Sequence, residues 1–174
     1  SLLGWDKLEV LGAGGNGEVW KAKRDDVECA VKILKKTTEH DESYRRFIDE
    51  IKILRNLGDD PGVLPILDAY LPESPSKKNR AWLSMPLATG IKQALGERPR
   101  IKDVVEAIAT VAETLARLAE KGICHRDIKP ENLYQCDNSW MIGDFGLADF
   151  PDKSDVTEEG RALGPRFYIA PEMV

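Results

Sequence analysis

His125-Arg126-Asp127-Ile128-Lys129-Pro130-Glu131-Asn132 is the stretch on which the reading of this chain turns. It places two acids, three basic side chains and an amide in eight residues, and its proline keeps the run from continuing a helix. A helical pattern ends just before it at Gly122, and a second acidic turn, Asp144-Phe145-Gly146, follows twelve positions after Asn132. Between them, residues 133–135 and 140–142 read as strands joined by a turn at Asp137-Asn138-Ser139. That hairpin is expected to bring Asp127, Asn132 and Asp144 near one another. An Asp and an Asn five residues apart, with another Asp across a hairpin, have the makings of a site for divalent cations and a substrate hydroxyl. This is the chemistry of phosphoryl transfer.

Working outward, residues 6–20 read as strand, glycine-rich turn and strand, with Gly12-Ala13-Gly14-Gly15-Asn16-Gly17 between Val10 and Val19. In a dinucleotide-binding fold the last glycine would open a helix. Here Glu18-Val19-Trp20-Lys21-Ala22-Lys23 alternates with period two, so a strand follows. The glycines then form a hairpin tip whose backbone N–H groups can approach phosphates, although a plain structural hairpin fits the same residues. Residues 27–34 form a third strand, in which Lys32 sits among apolar neighbours. A solvated lysine and a paired one both fit that position. The next helix, 41–57, carries Phe47, Ile51, Leu54 and Leu57 at helical spacing and stops at Gly58. At about 100° per residue, Glu50 lies about 60° from Phe47 and about 40° from Leu54, inside the apolar arc. A carboxylate there needs a partner, and Lys32 is the candidate. Asp49 and Arg46 are read as solvated charges.

After a turn at Asp59-Asp60-Pro61-Gly62, residues 63–70 read as a strand with an edge or bulge at Pro65, and 80–85 as a fifth strand. Composition then turns helical, which places one domain at 1–88 and another at 89–174, with a hinge near 85–90. Residues 91–96 read as a short helix. Asp103 and Glu106 have capping-box spacing at the head of a longer one, with a buried stripe of Val104, Ile108, Val111, Leu115 and Leu118. Its alanines (107, 109, 112, 116 and 119) read as close-packed core.

The chain has 174 residues and a net charge of −5, which argues against a non-specific nucleic-acid binder. No run approaches the ~20 apolar residues of a membrane helix. Cys29, Cys124 and Cys136 are too scattered for a disulfide framework or a CxxC metal site, and free thiols in a reducing, cytoplasmic setting are expected.

Taken in order, these motifs resemble the eukaryotic-type serine/threonine protein kinases. The glycine loop with Val19, the Ala30-Val31-Lys32 strand, Glu50, His125-Arg126-Asp127 with Asn132, Asp144-Phe145-Gly146 and Ala170-Pro171-Glu172 all match the family pattern. The resemblance implies an α+β, two-lobed fold: a five-stranded antiparallel sheet with helix C, then a partial helical lobe. It implies ATP and Mg²⁺, or Mn²⁺, as cofactors and a protein Ser or Thr as acceptor. Residues 12–17 would cover the phosphates, Lys32 held by Glu50 would bind the α- and β-phosphates, and Asn132 and Asp144 would hold the metal. Asp127 would accept the hydroxyl proton, with Lys129 steadying the γ-phosphate. Met85 would be the gatekeeper, Leu87 and Ala88 would offer backbone groups to adenine, and Val19, Ala30 and Tyr134 would sandwich the ring. His125, Phe145, Leu54 and Ile66 would stack as a spine. Arg126 before the catalytic Asp goes, in this family, with control by phosphorylation, for which Thr157 and Ser154 are the candidate acceptors; ordinary loop residues are the other reading.

Three residues depart from the family pattern: Asn16 replaces an aromatic, Tyr134 replaces an aliphatic, and Pro165 follows Gly164 where a Thr is usual. The family continues through several more helices after the position of Glu172, so a longer natural chain is expected. A pseudokinase or truncated binding module, and a small-molecule phosphotransferase, are the competing functions.

Overall fold

The computed structural model describes residues 4–14, 17–35, 38, 41–151, 153 and 168. The chain divides into two units, one of Ser1–Gly58 with Pro65–Leu87 and one of Asp59–Leu64 with Ala88–Val174.

In the first unit, strands β1 (Asp6–Ala13), β2 (Gly17–Arg24), β3 (Val27–Leu34), β4 (Asp68–Tyr70) and β5 (Trp82–Met85) make an antiparallel sheet in the order β1-β2-β3-β5-β4. Asp25 and Asp26 both take positive φ (48° and 66°), as a two-residue hairpin between twisted strands demands. Helix α1 (Glu42–Leu57) starts at Asp41, whose carboxylate accepts the Ser43 N–H at 2.9 Å. It ends at Gly58, whose N–H returns to the Leu54 carbonyl. One sheet face buries Leu34, Ala81 and Leu83 against Tyr44, Phe47 and Ile51 of α1. The other buries Ala22, Cys29, Val31, Ile33 and Trp82 beneath Trp5, whose ring meets Trp82 edge-on at 5.5 Å. This is the α+β sheet-and-helix arrangement expected. Burial pushes the thiols of Cys29 and Cys136 above their ordinary range, while Cys124 is exposed.

The strand read at 63–70 shrinks to β4, because Pro65 has no N–H to donate. The residues before it join the second unit instead. Leu64 N–H donates to Ile142 O at 2.9 Å, and Ile142 N–H donates to Gly62 O at 2.8 Å. Asp60 pairs with Lys121 and, at 3.6 Å, with Arg117.

The second unit adds β6 (Thr89–Gly90), α2 (Ile91–Leu95), α3 (Ile101–Glu120), a single 3₁₀ turn at Pro130–Asn132, β7 (Leu133–Cys136) and β8 (Ser139–Ile142). Strands β6, β7 and β8 form a small antiparallel sheet. Two readings of α3 are corrected. Its N-cap is Arg100, and Asp103 receives two 2.8 Å hydrogen bonds from the Arg100 guanidinium rather than closing a capping box. Its buried face is Ala107, Val111, Thr114 and Leu118; Ile108 is 59% exposed, and Ala109, Ala112, Ala116 and Ala119 also face outward. The stripe is rotated because the 59–64 segment packs at Thr114 and Arg117.

Gly62 marks that packing. Its φ is +85°, and a Cβ there would lie 2.0 Å from Thr114 Oγ1. Gly62→Ala should destabilise the protein by about 2–4 kcal/mol in a denaturant melt. Adding Thr114→Ala should recover the steric part but not the backbone part.

Candidate active site

In the first unit the strand register collects the expected residues on the α1 face of the sheet. Val19 pairs with Lys32, Lys32 with Leu83, and Ala30 with Met85. Lys32 Nζ lies 2.7 and 2.8 Å from the two carboxylate oxygens of Glu50, and 5.9 Å from the centre of the Phe47 ring. The Glu50 side chain is only 4% exposed, so its charge depends on this partner. Asp49, read as solvated, is also buried, since the α1 face it shares with buried Ile53 is covered as well. Arg46 pairs with Glu42.

At the glycine-rich tip, Gly14 N–H donates to Gly17 O at 2.9 Å, and Lys35 Nζ donates to Gly14 O at 2.9 Å. Space is open where a Cβ would stand on Gly12 or Gly14, so their backbone is unobstructed there. Gly15 and Asn16 lie outside the described residues. Leu87 is exposed and Ala88 half-buried, and the boundary between the units falls between them.

In the second unit the residues of the 125–132 stretch converge on Asp127, which is 7% exposed. Its Oδ2 accepts from Lys129 Nζ at 2.7 Å and from Asn132 Nδ2 at 2.8 Å, and Nδ2 also reaches the Asp127 carbonyl at 2.8 Å. Among the described residues Asp127 Oδ1 accepts no hydrogen bond, nor does Asn132 Oδ1. One carboxylate oxygen is thus left for a proton and one amide oxygen for a cation. Asn132 is set by the Pro130–Asn132 turn, and its carbonyl accepts the Gly143 N–H at 2.9 Å, one residue before Asp144. Asp144 itself is exposed, with φ +59°.

His125 ties these pieces together. Its Nδ1 accepts the Asp127 N–H at 3.3 Å, so Nε2 carries the proton and donates to Gly143 O at 3.1 Å. Its ring meets Phe145 edge-on at 4.6 Å. Leu54 and Ile66, expected in the same stack, belong to the first unit, where Leu54 is buried on α1 and Ile66 packs on the α1 face of the sheet. Glu131, just ahead of Asn132, pairs with Lys92 at 2.6 Å.

Among the described residues no three His, Cys, Asp or Glu side chains cluster as a closed metal cage. Asn132 and Asp144 nevertheless fit Mg²⁺, which takes one or two protein oxygens and fills its octahedron with water and phosphate.

The family model for the protein kinase domain matches residues 5–174. This chain belongs to the protein kinase family. The kinase domain is 33% identical, over 97% of its length, to the DNA damage-responsive serine/threonine-protein kinase RqkA of Deinococcus radiodurans, covering 26% of that protein. It is 31% identical to the serine/threonine-protein kinase PkaB of Streptomyces coelicolor and 29% identical to PknA of Mycobacterium tuberculosis. Those matches take in 95% and 99% of this chain and 42% of each relative. The chain therefore spans less than half the length of these curated relatives.

Two features of the kinase domain escaped the sequence reading. The first is the fit between Gly143 and Tyr134, where a Cβ on Gly143 would stand 2.9 Å from Tyr134 Cε2. A glycine immediately before Asp144, opposite an unusual aromatic, was the available signal. The second is the ion pair of Arg126 with Asp149, for which sequence spacing gave none. Thr157, Ser154, Pro165 and Ala170-Pro171-Glu172 lie outside the described residues.

Gly143→Ala should cost about 1–3 kcal/mol of stability, and Tyr134→Leu should relieve much of it, giving a coupling above about 0.5 kcal/mol in a double-mutant cycle. A pH dependence follows from His125, whose imidazole is held below its ordinary pKa by burial. The fold keeps it neutral while the unfolded chain gains a proton below about pH 6.5. Its contribution is therefore present above that pH and lost as pH falls through the lower, folded value. Melting temperature should drop from pH 7 toward 5.5, and the drop should be shallower in His125→Asn.

Proposed function

We propose that this domain is an ATP-dependent serine/threonine protein kinase that transfers the γ-phosphate of Mg·ATP to a protein hydroxyl. The observation that carries the reading is the divided use of the Asp127 carboxylate. Lys129 and Asn132 hold one oxygen, and the other is left to accept the proton of an incoming hydroxyl. Lys32, fixed by Glu50, binds the α- and β-phosphates, and the backbone of residues 12–17 covers them. Val19, Ala30, Met85 and Tyr134 contact adenine, with Leu87 and Ala88 giving it backbone hydrogen bonds. Asn132 and Asp144 hold Mg²⁺, or Mn²⁺, which when bound neutralises charge on the transferring phosphoryl group. Lys129, two residues after Asp127, supports Ser or Thr rather than Tyr as acceptor, and the names of the relatives agree. A cytoplasmic setting is part of the reading, resting on three cysteines that form no disulfide. No helix among the described residues is long and apolar enough to cross a membrane. A basic side chain near the acceptor would share Glu131 with Lys92. Control by a phosphate on Thr157 or Ser154, including one the kinase adds to itself, would bring that phosphate to the guanidinium of Arg126 that Asp149 already engages.

The test is transfer of labelled γ-phosphate by the full natural chain carrying this domain, to itself or to a generic protein, with Mg²⁺ or Mn²⁺. Asp127→Ala and Lys32→Met should each lower kcat by about 10²-fold or more, and label should appear on Ser or Thr. Transfer no greater than that of Asp127→Ala, with a thermal shift by Mg·ATP retained, would make the domain a nucleotide-binding module instead.

A further inference from the structure

Among the described residues the Arg126 guanidinium has one polar partner, the Asp149 carboxylate, with Nη2 2.5 Å from Oδ2. Asp149 is itself fixed by backbone. Cys124 N–H donates to Asp149 O at 2.9 Å, and Asp149 N–H donates to Cys124 O at 2.7 Å, an antiparallel bridge on the near side of Arg126. Three residues of the catalytic loop are thus bracketed: Cys124 by the bridge, His125 by its buried ring, and Arg126 by the ion pair.

The bracket matters because Arg126 stands at φ +63°, a left-handed conformation that a long side chain adopts only when its surroundings impose it. The residue after it is Asp127. A relaxation of φ at Arg126 would swing the Asp127 backbone, whose N–H must reach His125 Nδ1, and with it the oxygen that takes the proton. The Arg126 and Asp149 side chains are 27% and 45% exposed, so the pair adds little to global stability. Its effect is on the orientation of the loop.

We propose that Asp149 is a positioning residue for the catalytic loop, a standing counter-charge for Arg126 that holds Asp127 in place with no phosphate on the chain. The inference rests on the kinase reading above and deepens it. The carboxylate does for the guanidinium what an added phosphate would do, bringing a negative charge and acceptor oxygens on an anchored backbone. It follows that catalytic competence does not wait on phosphorylation of Thr157 or Ser154.

The experiment compares the full natural chain as wild type, Asp149→Asn and Asp149→Glu, before and after phosphatase treatment, with Asp127→Ala as the inactive baseline. Phosphatase-treated wild type should keep its kcat within about twofold. Asp149→Asn should lower kcat by about tenfold with KM for ATP nearly unchanged, as expected when alignment rather than binding is lost. Asp149→Glu, which keeps the charge, should recover most of the loss. Melting temperatures should agree within about 3 °C, since the pair is half-exposed. Wild-type kcat in Asp149→Asn would overturn the proposal, as would loss of wild-type activity on phosphatase treatment. So would equal impairment of Asp149→Glu and Asp149→Asn, or unfolding of both variants, which would mark the residue as structural. If wild type itself transfers no more than Asp127→Ala, the kinase reading fails separately. Amide exchange then decides the positioning claim, with faster exchange at residues 124–127 in Asp149→Asn supporting it and unchanged exchange ending it.

Discussion

A carboxylate shielded from water is the constraint from which the second unit is built. Asp127 is buried to within 7%, and an unpartnered ion there would cost several kcal/mol. Lys129 and Asn132 offset that cost through one oxygen only, which leaves the other oxygen open. The Pro130–Asn132 turn follows from this need, because it brings Asn132 back to a residue five positions earlier. The burial of His125 follows too, since its ring is the post to which both the Asp127 amide and the Gly143 carbonyl are fastened. Breaking that post would loosen Asp127 and the approach to Asp144 together.

The first unit solves a related problem with different means. Glu50 is a charge on the buried face of α1, and Lys32 answers it from the middle of β3. Here the pairing is bidentate and sheet register fixes it: Lys32 lies between Val19 and Leu83 on neighbouring strands, so its lateral position is set on both sides. The opposite sheet face is closed by Trp5, Trp82 and Arg24, whose guanidinium lies 3.8 Å from the Trp5 ring centre. A sheet packed on both faces is stiff, and its stiffness is what keeps Lys32 beside Glu50.

Much of this was legible in the chain because it is local. Period-two alternation marked β2, the helical recurrence of Phe47, Ile51 and Leu54 marked α1, and the angle of Glu50 within that arc called for a cation. The Asp127, Lys129 and Asn132 cluster spans six residues, so spacing alone brought it together. What escaped depends on partners distant in sequence. Val104 and Ile108 looked like core, but the face of α3 that is buried is chosen by Gly62 and Asp60, about fifty residues upstream. Asp103 looked like a cap until Arg100 claimed it. Nothing in the neighbours of Asp149 announces Arg126, twenty-three positions back. Propensity and periodicity carry no information about such choices; packing does.

The assignment of Asp59–Leu64 to the second unit has a topological consequence. The polypeptide passes from one unit to the other three times, after Gly58, after Leu64 and after Leu87, so neither unit is a continuous piece of chain. Strand β5, which lies between β3 and β4, is synthesised only after the six-residue strap destined for α3 has emerged. The sheet is thus still missing an inner strand when the first part of its neighbour is already made, and the strap must wait about fifty residues for Thr114 and Arg117. The two units are interleaved in their making: severing the chain at Leu87 would leave the first fragment holding a loose piece of the second, and the second without the strap that orients its longest helix.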